Sequence, residues 1–134
     1  MLPLIDMRNQ MRTNEINVLV LAYLGDAIYE EYVRLYLIKQ GIAKVNELQK
    51  EAVKYVSAKA QSVFLHELLE KDIFDEMELS VIMRARNHKG KSKPKHTDIV
   101  TYKHATALEA IIGYLYLEKR KDKIDKIMNF ITGE

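Results

Sequence analysis

The chain has 134 residues, 48% hydrophobic and 30% charged, with a formal net charge of +2, which suits one domain spanning residues 1–134 with its own core. It contains no cysteine, which excludes disulfide scaffolds, thiolate metal sites and cysteine nucleophiles and fits a reducing cytosol. No apolar run reaches the roughly 18 residues of a membrane span and the N-terminus lacks signal-peptide features, so we expect a cytoplasmic protein without a membrane partner.

The pattern predicts six or seven helices and no sheet. With five glycines and two prolines the chain has few helix breakers, and its long segments show helical periodicity. The first predicted helix runs from about Asn14 to Gln40, with Thr13 or Asn14 as its cap and Gly41 as its stop. Residues 18–24 are apolar at every position, so we expect this part of the helix to be buried on all sides.

Two shorter helices are predicted next. Asn46 and Gln49 have the spacing of a capping box, which predicts a helix beginning after Asn46. Ser57 is the expected cap of the following helix, which reaches about Lys71.

A fourth helix and a basic loop follow. Asp75 with Glu78 opens the helix, which ends near Asn87. Residues 88–97 form a loop by composition, because glycine, serine and proline alternate there with lysines.

The last third of the chain predicts two more helices. One begins near Asp98 and ends near Lys119, and its residues 105–117 are almost entirely apolar, as in a core helix. Asp122 is the expected cap of the final helix, which Gly133 ends.

Two isolated acids lie in the two most apolar stretches, each close to a glycine. Asp26 follows Gly25, and Glu109 lies one helical turn before Gly113. A buried ionised carboxylate is costly unless it is compensated. If the two helices cross at their glycines, the carboxylates face one another and a hard divalent cation is a suitable compensator. The alternative is that each acid lies at the edge of the core and pairs with Arg or Lys.

The positive charge is concentrated in one segment. Residues 84–104 contain seven basic residues and one acid, whereas the rest of the chain is net acidic by four charges. Such a cluster is either a solvated face or a contact surface for an anionic partner. We favour a contact surface, with six residues of this segment as candidate contacts to the phosphates of such a partner: Arg84, Arg86, Lys89, Lys91, Lys93 and Lys95.

Both acid-bearing stretches resemble motifs of the ribonuclease III family. LAYLGDAIYE is similar to the family signature that ends in Leu-Gly-Asp-Ala, and TALEAIIGYLYLE is similar to its second motif. The order and wide separation of the motifs also resemble the family. The resemblance covers nearly the whole chain as one nuclease domain, without the C-terminal double-stranded-RNA-binding domain. It therefore looks like the short form of the family, mini-ribonuclease III.

This resemblance places Asp26 and Glu109 on the family's catalytic, metal-holding acids. The other two acids of the family's usual four fall on Ala22 and Thr106, so two carboxylates of the four survive, and a further family acid outside that set falls on Leu19. The hydroxyl of Thr106 either holds a metal-bound water or bonds back to its own helix.

The resemblance implies an all-α ribonuclease III endonuclease-domain fold and a homodimer that binds double-stranded RNA. It also implies Mg²⁺-dependent cleavage of that RNA and maturation of the large-subunit (23S) ribosomal RNA precursor. A ribosomal protein is a further candidate partner. Glu30, one turn after Asp26, either extends the site or is an ordinary surface charge.

A second hypothesis is a non-catalytic RNA-binding or ribosome-assembly protein with the same fold. The missing acids at Ala22 and Thr106 motivate it, and the presence of both Asp26 and Glu109 argues against it.

Overall fold

The computed structural model describes residues 12–88 and 98–134, and within these ranges the chain forms α-helices and no strand. The helices are α1 (Val18–Lys39), α2 (Val45–Val56), α3 (Ala58–Glu70), α4 (Glu76–Arg86), α5 (Ile99–Leu117) and α6 (Lys121–Thr132). The predicted all-α class is confirmed. The expected loop falls almost wholly outside the described residues, which end at His88 and resume at Asp98. None of the described helices is both long and apolar enough to cross a bilayer.

Helix α5 is the centre of the fold. From Ala105 to Leu115 every residue except Glu109 is buried, which confirms the prediction of a core helix. Helices α1, α3 and α4 all pack on it, and α6 packs against its C-terminal part. Because α5 is covered from several directions, a polar side chain on it reaches solvent only at a gap between neighbouring helices.

Helix α1 is buried on one side only, contrary to the prediction. Leu21 and Tyr29 are fully buried against the core, but Val20 is 56% exposed and Tyr23 84% exposed. An apolar composition measures the affinity of a surface for other apolar groups. It does not say which neighbour covers that surface within one chain.

The first helix begins later than predicted. Its cap is Asn17, whose side chain accepts a hydrogen bond from the Leu19 backbone N–H at 2.7 Å. Residues Thr13–Glu15 form a separate 3₁₀ turn, and Ile16 is extended and buried between the two segments. The predicted cap at Thr13 or Asn14 is therefore wrong. The extended backbone of Ile16 separates the turn from α1, so the helix can begin only after this residue.

Two other predicted caps are also wrong. Helix α2 begins at Val45 after Lys44, without a side-chain cap, so Asn46 lies inside its first turn. Helix α6 begins at Lys121, and Asp122 pairs with the Arg120 guanidinium at 3.2 Å instead of capping the helix.

The other predicted helix ends agree with the structure. Ser57 caps α3, and Asp98 caps α5 by accepting from the Thr101 N–H at 2.8 Å. Asp75 and Glu78 form the capping box of α4. Gly133 ends α6 in the left-handed conformation, with φ of 82°.

Candidate active site

Helices α1 and α5 cross at their glycines. A Cβ atom added to Gly25 lies 1.7 Å from the Glu109 carbonyl oxygen, and one added to Gly113 lies 2.1 Å from the Leu21 carbonyl oxygen. Both distances are shorter than any real Cβ contact, so only glycine permits this backbone approach. The predicted crossing is confirmed. Because Asp26 follows Gly25, its side chain is carried to the backbone that bears Glu109.

The crossing brings the two predicted acids into contact. The Asp26 carboxyl lies within hydrogen-bonding reach of the Glu109 carboxyl. A hydrogen bond between two carboxyl groups requires a proton on one of them, because an ionised carboxylate only accepts. Within residues 12–88 and 98–134 neither acid forms a salt bridge with Lys or Arg, in contrast to the alternative of separately paired acids.

The two acids differ in burial. Glu109 is half-buried on the core helix, whereas Asp26 is exposed, which corrects the expectation that both lie in a dry interior. Asp26 is therefore the more accessible of the two carboxyls, and Glu109 keeps part of its surface exposed.

The pKa of the Glu109 carboxyl is raised to about 9. Burial is the largest cause, because it disfavours the charged form, and the hydrogen bond and the charge of Asp26 act in the same direction. Glu30 raises this pKa further, and a hydrogen bond from Gln61 opposes the shift. Without a cation the pair therefore retains a proton at neutral pH, and a bound cation would displace it.

Gln61 is a site residue that the sequence analysis missed. It is 2% exposed on α3, and its Nε2 donates to Glu109 Oε2 at 3.4 Å. A signal was present in the sequence. Gln61 shares one helical face with Leu65 and Leu68, and a polar side chain on a core-facing stripe needs a partner.

Tyr29 forms the buried side of the site. Its hydroxyl donates to the Tyr55 carbonyl oxygen at 2.6 Å, which ties α1 to the end of α2. Burial raises the pKa of this hydroxyl, and the charge of Glu109 adds to the shift. Tyr29 is therefore a neutral hydrogen-bond donor that anchors α1 one turn beyond Asp26.

The three positions at which the family has further acids carry no carboxylate in this chain. Ala22 is buried, and Leu19 lines a small cavity together with Thr106. The Thr106 hydroxyl donates to the Tyr102 carbonyl oxygen at 3.0 Å, which confirms the back-bonded alternative. Glu30 is half-buried and pairs with Arg34 at 2.9 Å, so it is a neighbouring charge with a partner of its own.

The basic residues are described only in part. Arg84 is exposed near the end of α4, and Arg86 is half-buried there, close enough to His104 to help lower its pKa, after burial as the larger cause. His104 in turn contacts Ser62 at 3.4 Å, next to Gln61 on α3. The predicted RNA contacts Lys89, Lys91, Lys93 and Lys95 lie outside the described residues.

The donor set fits a hard cation held by few protein ligands. Among the described residues no cluster of three or more His, Cys, Asp or Glu side chains has the arrangement of a metal site. The Asp26–Glu109 pair offers oxygen ligands alone, and Mg²⁺ characteristically takes one or two carboxylates and retains waters. Two carboxyl groups in contact, neither of them in a salt bridge with Lys or Arg within the part of the chain that the structure describes, match such an ion.

Comparison with known proteins gives the family. The Ribonuclease III domain model matches residues 19–120. A curated relative, Mini-ribonuclease 3 of Staphylococcus aureus, is 43% identical over 116 residues, covering 87% of each chain. Mini-ribonuclease 3 of Brevibacillus brevis is 50% identical over 115 residues, covering 86% of this chain and 84% of the relative.

A solved structure agrees with these matches. The crystal structure of a Fusobacterium nucleatum protein superposes with a TM-score of 0.80 at 36% identity and covers 96% of each chain. The residues matched by the family model include both acids and the helix crossing between them. The chain therefore belongs to the ribonuclease III family, among the mini-ribonucleases 3, and is an endoribonuclease of the ribonuclease III type.

Proposed function

We propose that the protein is a Mg²⁺-dependent endoribonuclease that cleaves double-stranded RNA with Asp26 and Glu109 as its metal-holding catalytic residues. The observation that carries the proposal is the contact between these two carboxyls at the α1–α5 crossing. A pair of acids brought together without a cationic partner in the described structure is unfavourable by itself, and a divalent cation compensates it.

The reaction is phosphodiester hydrolysis. Asp26 and Glu109 would hold Mg²⁺, which when bound would supply an activated water and neutralise charge on the phosphoryl oxygens. Exposed Asp26 meets the RNA strand, and half-buried Glu109 keeps its place through the core helix. Water adds to phosphorus, the bond to the 3′ oxygen breaks, and the products carry a 5′-phosphate and a 3′-hydroxyl.

The duplex is held by the basic segment. Arg84 and Arg86 lie at the end of α4, and the lysine-rich segment with Lys89, Lys91, Lys93 and Lys95 follows in the sequence. Duplex RNA is recognised mainly through its shape, phosphates and 2′-hydroxyls. A run of cations therefore suits binding with little sequence preference.

The active form is a homodimer, and the exposed face of α1 forms part of the contact. Val20 and Tyr23 are large apolar residues turned away from the core, with exposed Ala27 on the same face. Exposed apolar groups of this kind mark protein interfaces, and tyrosine is enriched there.

The substrate in the cell is the large-subunit (23S) ribosomal RNA precursor, cut in the cytoplasm, and a ribosomal protein is a candidate partner in presenting it. Support comes from the likeness to curated mini-ribonucleases 3 and not from any geometry of the site.

A cleavage assay tests the function. The purified protein is incubated with a long RNA duplex in Mg²⁺ or in EDTA, beside Asp26→Asn. We expect cleavage in Mg²⁺ alone, and a loss of more than about 100-fold in Asp26→Asn, since removing even an outer-shell partner of a metal ligand typically costs about 10- to 100-fold. Duplex binding without cleavage by the wild type would favour the non-catalytic hypothesis. Equal cleavage by Asp26→Asn would reject the site assignment.

A further inference from the structure

Gln61 is a polar residue at a position where the fold would accept an apolar one. It lies on the core-facing stripe of α3 with Leu65 and Leu68, and its exposure is 2%. A buried amide without a hydrogen bond costs about 1–3 kcal/mol in proteins. Leucine fills a similar space without that cost, so packing alone does not explain a carboxamide here.

The described partner of this carboxamide is the catalytic pair. Gln61 Nε2 donates to Glu109 Oε2 at 3.4 Å. An N–H that donates to a carboxylate oxygen stabilises the ionised form, which is the form that holds a cation. Gln61 therefore acts on the carboxylate in the direction that cation binding requires.

The neutral charge of Gln61 suits this role. An acid in its place would add a third negative charge beside Asp26 and Glu109, and a lysine would compete with a cation for the same oxygens. A carboxamide supplies an N–H donor without either effect.

We propose that Gln61 is a positioning residue of the cleavage reaction, which fixes the Glu109 carboxylate by holding its Oε2 oxygen and so strengthens cation binding at the Asp26–Glu109 pair. This inference rests on the proposed Mg²⁺ site. Gln61 acts through Glu109 and, because it is buried, makes no contact with the RNA. Its effect belongs to metal affinity and turnover and not to duplex binding.

The test compares Gln61→Leu with Gln49→Leu. The control removes the same carboxamide from an exposed position on α2. The first readout needs no RNA: binding of Mn²⁺ to the free protein is measured by calorimetry. We expect Gln61→Leu to weaken this affinity by about 10- to 100-fold, the usual effect of losing an outer-shell partner, and Gln49→Leu to leave it unchanged.

Cleavage kinetics supply the second readout. In limiting Mg²⁺ we expect kcat of Gln61→Leu to fall by about 10-fold or more, with KM for the duplex unchanged and activity partly recovered in excess Mg²⁺. A folded Gln61→Leu protein with wild-type Mn²⁺ affinity and wild-type kcat would overturn the inference. A purely structural role would lower thermal stability and leave the metal response intact, which also overturns it.

A measurement on the wild type keeps the inference testable if Gln61→Leu does not fold. The side-chain amide resonances of Gln61 and Gln49 are followed by nuclear magnetic resonance during a Mg²⁺ titration. We expect the Gln61 resonance to shift and the Gln49 resonance to stay; an unmoved Gln61 resonance at saturating Mg²⁺ overturns the proposal. The titration needs no cleavage, so failure of the proposed endonuclease activity is seen separately, as a wild-type protein that binds Mg²⁺ and cuts no duplex.

Discussion

At the scale of single residues, the site is a balance around one carboxyl group. Burial and the nearby acids Asp26 and Glu30 all favour the protonated form of Glu109. Gln61 opposes them. Such a group is costly in the absence of a cation and becomes favourable when one binds, which is a common property of metal-holding acids.

The raised pKa of Glu109 predicts how stability of the cation-free protein depends on pH. Between about 4.5 and about 9 the folded state keeps a proton that the unfolded state releases. The contribution of this group to the free energy of unfolding is therefore fully present below the lower value and is lost as pH rises through the window. The slope has a limit of about 1.4 kcal/mol per pH unit for one proton.

Urea unfolding in EDTA across this pH window measures the effect. We expect the wild type to lose stability with rising pH relative to Glu109→Gln, which cannot titrate at this position. Added Mg²⁺ stabilises the wild type more at the alkaline end, since proton and cation compete for the same oxygens. Parallel pH curves for the two proteins would contradict the assignment.

At the scale of elements, the site depends on how closely α1 approaches α5. The approach is set by Gly25 and Gly113, each packed on the backbone of the other helix. The same contact fixes the spacing of the acids, because Asp26 and Glu109 are attached at the crossing. Stability and the geometry of the candidate site are therefore coupled at this point.

Gly25→Ala is expected to destabilise the protein by about 3 kcal/mol or more, at the upper end of overpacking effects, because the new Cβ meets backbone. Gly41→Ala is the control: nothing lies within 4 Å of its Cβ, and its φ of +90° predicts a cost of only about 1 kcal/mol. Urea denaturation gives both values, and cleavage assays on the folded fraction show whether the acids still act together. Wild-type stability of Gly25→Ala would disprove the close crossing.

At the scale of the whole molecule, two surfaces are proposed to act together with the two acids. The exposed face of α1 is the proposed subunit contact, and the basic segment is the proposed RNA contact. Tyr23 lies three residues before Asp26, so a contact made by this tyrosine would bring a second subunit near the proposed cleavage site. Arg84 and Arg86 lie in the last turn of α4, before the α4–α5 connection, and Lys103 and His104 lie in α5, after it. Assembly and RNA binding are consequently predicted to affect activity by separate routes.

Tyr23→Asp is expected to convert a dimer into a monomer and to lower cleavage, because it places a charge in the proposed apolar contact. Val53→Asp is the matched control, since Val53 is also exposed but lies on α2. Light scattering after gel filtration reports the mass, and circular dichroism checks the fold. A monomeric wild type, or a dimeric Tyr23→Asp protein, would contradict this interface.

The salt dependence of duplex binding tests the basic segment. In EDTA, where cleavage is prevented, each lost phosphate contact reduces the slope of log affinity against log salt by about one. We expect a clear reduction for the Arg84→Ala/Arg86→Ala double variant and for the variant with Lys89, Lys91, Lys93 and Lys95 changed to alanine. Lys126→Ala, on the exposed face of α6, should keep the wild-type slope. An unchanged slope in either multiple variant removes that group from the RNA contact.

Much of this protein follows from local sequence. Helical periodicity predicted the all-α class, and the caps at Ser57, Asp75 and Asp98 follow from interactions within one turn. The contact of Asp26 with Glu109 was also predictable, because a glycine beside each acid indicates a close backbone approach.

The tertiary structure decided which surfaces are covered. Apolar residues 18–24 predicted burial all round, yet Tyr23 is exposed because none of the other described helices packs there. Asp26 is open and Glu109 half-buried for the same reason. The partner of Gln61 could not be read from sequence either, because it depends on how α3 lies against α5. Helix formation and capping depend on residues that are close in sequence, whereas burial and the pairing of distant side chains depend on the packing of whole helices.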